Sequence, residues 1–197
     1  MDPNLMLSRL LRLVRLDTSV FDEVRDDERE LIPALIVAVV SCFLAGLGAW
    51  LYWEIAADFT PNNTFLNSFL LGSIFLAVMY GAAALVIYVV MVQFYKVQVE
   101  LRPIVRTMGY AAAPLALSVL MLVPVLYPVF ALVPLAILLV SMIYAVQSAT
   151  NAESTQVVVA CIIGFSVMTL VLGVIAVWFG VPDAPIGAGQ FGLYLDF

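Results

Sequence analysis

The sequence predicts an all-α integral membrane protein, a bundle of five transmembrane helices, and three observations carry that reading. Of the 197 residues, 64% are hydrophobic and 11% charged, with a mean hydropathy of +1.11. A soluble domain has about 45–50% apolar and about 25% charged residues, so lipid must solvate most of this surface. Apolar runs also recur that are long enough to cross a hydrocarbon core of about 30 Å, which takes roughly 20 helical residues. Finally, all eight Lys and Arg fall in two short stretches. Arg9, Arg12, Arg15, Arg25 and Arg29 precede the first run, and Lys96, Arg102 and Arg106 lie between the second and third. Short basic loops stay in the cytoplasm, which predicts a cytoplasmic N-terminus and, with five spans, a C-terminus outside.

Three segments follow: a cytoplasmic segment over 1–30, a membrane domain over 31–179 and an extracytoplasmic tail over 180–197. Residues 4–16 read as an amphipathic helix. At about 100° per residue, Asn4, Ser8, Arg9, Arg12 and Arg15 share one face, opposite Met6, Leu7, Leu10, Leu11, Leu13 and Val14. A basic amphipathic helix beside a span lies in the interface, its arginines near lipid phosphates; packing onto the protein's own cytoplasmic loop is the alternative. Residues 17–30 are acidic, with Val20, Phe21 and Val24 as a small apolar contact. They read as a solvated linker or as a docking surface for a basic partner.

Span one covers about 31–53, with Pro33 in its first turn and Trp50, Tyr52 and Trp53 at its far end, where aromatic rings favour the headgroup level. It doubles as an uncleaved signal anchor, because residues 1–30 have no compact apolar region ending in a cleavage site. Span two covers about 65–95. Residues 104–148, charged only at Arg106, would reach about 68 Å as one helix at about 1.5 Å per residue, so they cross twice. Pro124, Pro128 and Pro134 mark the break, since proline removes backbone donors. A short polar loop leads to span five, about 157–178. Small residues four apart (Ala77 and Gly81, Gly109 and Ala113, Ser141 with Ala145 and Ala149) predict close helix approaches.

Several chemistries are argued against. The chain has no His, which removes His-ligated haem and Ser–His or Cys–His catalysis. Cys42 and Cys161 lie in apolar spans without Cys-x-x-Cys spacing and read as buried small hydrophobes. The spans carry no mid-membrane charge of the kind that marks proton relays, ion-coupled transport or voltage sensing. A net charge of −6 argues against nucleic acid as a partner. The reading therefore names no catalytic, cofactor-binding or metal-ligating residue and no cofactor.

Span three opens with Arg106-Thr-Met-Gly109-Tyr110-Ala-Ala-Ala-Pro114. This stretch resembles the R-x-x-G-Y-A-x-x-P signature of the Yip-domain membrane proteins, named for interaction with Ypt and Rab GTPases. Phe21 in Val-Phe-Asp-Glu-Val is similar to the phenylalanine-bearing pre-membrane segment of prokaryotic members. The resemblance covers roughly residues 17–180 and implies five spans, a non-enzymatic role and a prokaryotic plasma membrane location. The Asp-Leu-Tyr-Gly-Pro motif of eukaryotic members is absent, so GTPase binding does not carry over. Arg106, Gly109, Tyr110 and Pro114 are expected to define the fold. Arg9, Arg12, Arg15 and Phe21 are the candidates for contact with the membrane interface or a partner. The expected partners are the bilayer and a protein at the cytoplasmic face or within the membrane, with a homo- or hetero-oligomer left open. The resulting function is a membrane scaffold or adaptor; the alternatives are an accessory subunit of a larger membrane complex and a passive pore for a small neutral or lipid-like solute.

Overall fold

The computed structural model describes residues 3–56, 62–150 and 152–178. Two short helices come first, α1 (Pro3–Val14) and α2 (Ser19–Asp26). A 3-10 turn, Glu28–Glu30, follows and leads into α3 (Leu31–Leu51). Beyond it lie α4 (Gly72–Val89), α5 (Leu101–Ala111), α6 (Tyr127–Ala149) and α7 (Ser154–Trp178). Every regular element among the described residues is helical. Five stretches are long and apolar enough to cross a membrane: Glu28–Ile55, Phe65–Phe94, Leu101–Leu122, Tyr127–Ala149 and Ser154–Ile175. The tail over 180–197 lies outside the described residues.

Span three changes its winding part-way. It is α-helical to Ala111 and 3-10 over Ala113–Leu122, with Pro114 in the first turn of the tighter segment. Proline has no N–H to give the carbonyl four residues back, and its ring collides with that carbonyl. The α ladder therefore stops just ahead of Pro114 instead of merely kinking. The chain then turns through Val123–Leu126 in short i→i+3 steps. Of the three prolines expected to mark this break, Pro128 opens α6, while Pro134 is accommodated inside it.

Small residues on α3 set the centre of the bundle. Ala34, Val37, Ser41, Cys42, Ala45, Gly46, Gly48 and Ala49 are all buried, and they recur three or four apart, so they form one face. That face meets α5, the 3-10 half of span three and α4. A methyl placed on Gly48 would lie 2.2 Å from the carbonyl oxygen of Ser118, so only glycine lets these backbones approach. Gly81, expected to lie in a seam, has nothing within 4 Å of the position a Cβ would occupy. At the far end of α3, Tyr52 stacks on Tyr127 with ring centroids 3.7 Å apart. Trp50 and Phe65 form a T-shaped pair with ring centroids 5.3 Å apart. Trp53 is buried, so this cluster joins spans one, two and four instead of forming a simple outward belt.

Candidate interaction face

The near end of the bundle carries a charged cap built from α1, α2 and the turn before α3. Its anchor is apolar. Val20, Phe21 and Val24 of α2 are buried, and α2 packs against α5 and α6. Val24 lies four residues after Val20 and three after Phe21, so the three share a helix face. Polar contacts at the rim fix the docking. The Arg25 guanidinium donates to the Ser148 carbonyl at 2.9 Å and pairs with Asp26 at 2.7 Å. The Ser148 hydroxyl donates to Asp22 at 2.6 Å.

α1 folds back through a turn in which Leu16 has φ 63° and the Asp17 carboxylate accepts from the Ser19 backbone N–H at 3.1 Å and its hydroxyl at 2.6 Å. Met6, Leu10 and Leu13 pack against the core. Arg9 is buried with them and pairs with Glu30 at 2.6 Å, with longer approaches to Glu23 and Asp27 of 3.6 and 3.9 Å. Arg12 pairs with Glu23 at 2.7 Å and Asp17 at 2.8 Å. Two of the three arginines expected near lipid phosphates are thus turned toward the chain's own acidic segment, because seven carboxylates within residues 17–30 offer fixed counter-charges nearby. Arg15 is exposed. So is an apolar stripe on the outer side of α1: Leu7, Leu11 and Val14.

The charges behave accordingly. Burial disfavours the Arg9 cation, but the Glu30 carboxylate outweighs it and holds the guanidinium above its usual value. Hydrogen bonds from Ser19 and Arg12 keep the Asp17 carboxyl below the ordinary range. Arg25 does the same for Asp26.

Three residues of α5, at spacings of three and four, address the cap from beneath. The fully buried Tyr110 donates its hydroxyl to the second Glu30 oxygen at 2.7 Å. Arg106, also buried, donates to the backbone carbonyl of Arg25. Gly109 lies so close to α3 that an added Cβ would sit 2.5 Å from the Ala34 carbonyl oxygen. Pro114 lies one helical turn further on, where the winding changes. Arg106, Gly109 and Tyr110 thus all meet the stretch between residues 25 and 34. Glu30 is the junction, taking Arg9 on one oxygen and Tyr110 on the other.

A family model for the Yip1 domain matches residues 13–182. The chain belongs to the Yip1 domain family. No curated protein and no solved structure matches. Within this Yip1 domain protein the matched region starts inside α1, so Arg9, Arg12, Leu7 and Leu11 lie ahead of it. Sequence reasoning passed over Glu30, Arg25 and Ser148. Glu30 was the most accessible of them, as the last carboxylate before an apolar span, where an ionised group requires a partner. Among the described residues, no group of three or more His, Cys, Asp or Glu is placed to hold a metal ion.

Proposed function

We propose that this multi-pass membrane protein is a non-enzymatic scaffold of the Yip-domain type, working through the face that carries the charged cap. The clustering of Lys and Arg at that end supports a cytoplasmic position for the face. One observation carries the reading: α1 turns its arginines inward onto Glu30, Glu23 and Asp17 and leaves Leu7, Leu11 and Val14 outward. Its ionic groups are thereby engaged by the protein itself, and an ordered apolar stripe is held out for another surface. Such a stripe on a rigid helix suits a helix-in-groove partner or the acyl boundary of the cytoplasmic leaflet.

A photoactivatable residue placed at Leu11 of the full-length protein in native membranes tests this. A discrete protein adduct, lost on Leu7→Glu, identifies the cap as an adaptor. Lipid adducts lost on the same substitution identify it as a membrane organiser. A cap that forms neither adduct contradicts the proposal.

A further inference from the structure

A small pocket of about 130 Å³ opens between the start of span one and the start of span three, lined by Glu28, Leu31, Glu100, Arg102 and Arg106. Its walls carry two carboxylates and two guanidiniums, yet these four groups form no ion pair with one another within 4 Å among the described residues. Nearby, Arg9, Arg12 and Arg25 are each paired with a carboxylate. Arg106 is buried, and its Nε has no hydrogen-bond partner among the described residues even though the same guanidinium donates to the Arg25 carbonyl. A buried donor left in that state is normally satisfied by something else.

We infer that this pocket binds a phosphate ester carrying a primary ammonium, the chemistry of a phosphoethanolamine lipid headgroup. Arg102 and Arg106 stand four residues apart on one helix and so share a face; planar guanidiniums of this kind are well suited to a phosphate. Glu28 and Glu100 supply the opposite charge for an ammonium, which donates up to three hydrogen bonds. Size and lining narrow the ligand further. Drug-sized ligands occupy roughly 300–1,000 Å³, so this pocket takes a headgroup and no nucleotide. A quaternary ammonium is recognised by aromatic faces, and among the described residues no aromatic side chain lines this site, which disfavours choline. Leu31 is the apolar wall among the described residues, and it stands at the first position of a membrane-spanning helix, where the glycerol end of a lipid would lie.

Native mass spectrometry of the full chain tests this, with phosphatidylethanolamine, phosphatidylcholine and phosphatidylglycerol of matched acyl chains. Glu28, Glu100 and Arg102 are exposed and free of ion pairs among the described residues, so their substitution leaves the fold intact, and an unchanged unfolding midpoint checks this. The wild type should retain one phosphatidylethanolamine about tenfold more tightly than phosphatidylcholine, the size of one charge-assisted hydrogen bond lost. Arg102→Gln should weaken all three lipids. Glu28→Gln with Glu100→Gln should abolish only the preference for ethanolamine. Displacement of the lipid by free phosphoethanolamine would assign the same chemistry to a soluble ligand; failure to displace it would assign a bilayer lipid. Equal retention of the three lipids, a wild-type preference for phosphatidylglycerol, or variants indistinguishable from wild type would overturn the inference.

Discussion

At one end of α3 Glu30 receives Arg9 and Tyr110 in a site nearly closed to water; at the other, Tyr52 lies flat on Tyr127 and the Trp50 and Phe65 rings meet nearly at right angles. Both ends tie span one to its neighbours, but they respond differently to damage. Aromatic contacts are short-ranged and nearly separable, each worth about 0.5–1.5 kcal/mol beyond the area buried. A buried ion pair is not separable. Removing one member strands the other, at about 3–5 kcal/mol, whereas replacing both by apolar groups is often neutral. The capped end should therefore fail abruptly and the aromatic end gradually.

The largest expected effect breaks the capped end. Arg9→Leu leaves the Glu30 carboxylate, whose side chain is 8% exposed, without its cation, and should cost about 3–5 kcal/mol in thermal or denaturant unfolding. Adding Glu30→Leu together with Tyr110→Phe, which removes the hydroxyl that Glu30 accepts, should restore most of the loss. If the two losses instead add, Arg9 and Glu30 do not act as a pair.

Next is the helix contact beneath the cap. Gly109→Ala drives a methyl to 2.5 Å from the Ala34 carbonyl oxygen, and overpacking of this kind costs about 1–3 kcal/mol. Gly81→Ala, in open space, is the matched control and should be neutral or slightly stabilising. Equal effects at the two glycines would remove the close approach from the account.

At the aromatic end Tyr52→Leu should cost about 0.5–1.5 kcal/mol beyond the loss of area and should leave the cap undisturbed. A distance between spin labels on Ser8 and Gln98, measured by pulsed electron resonance, checks the second half. Broadening of that distance would mean that the two ends are coupled.

The smallest effect is pH dependence at the two ends of α2. Asp17 and Asp26 have folded-state pKa values below the ordinary 3.8. Their contribution is complete above that value and is lost as pH falls through the lowered folded value, because the unfolded chain takes up protons first. The same label pair should hold its distance from neutral pH down to about 4 and broaden only below. Broadening near pH 6 would point to a different titrating group.

Much of this architecture is legible in the sequence, and the boundary of legibility has physical causes. The five apolar stretches follow from hydropathy and length, and the structure sets each within a few residues of the expected range. Arg106, Gly109 and Tyr110 stand out through their likeness to the family signature. What they touch does not, because periodicity says which residues share a face and nothing of what that face meets. The arginines of α1 show the same limit: the amphipathic pattern is visible, but only the fold brings Glu30 beneath Arg9. Small-residue pairs likewise point to Gly81, which is open, and pass over Gly48, whose partner Ser118 sits on a 3-10 segment that no helical wheel describes.

Amide hydrogen exchange of the full-length protein in lipid nanodiscs tests most directly whether the cap is held to the bundle as one unit. Residues 3–14 and 19–26 should be protected together in the wild type, and both should lose protection in Arg9→Leu while α6 keeps its own. Wild-type α1 amides exchanging as fast as an unstructured peptide would contradict the account.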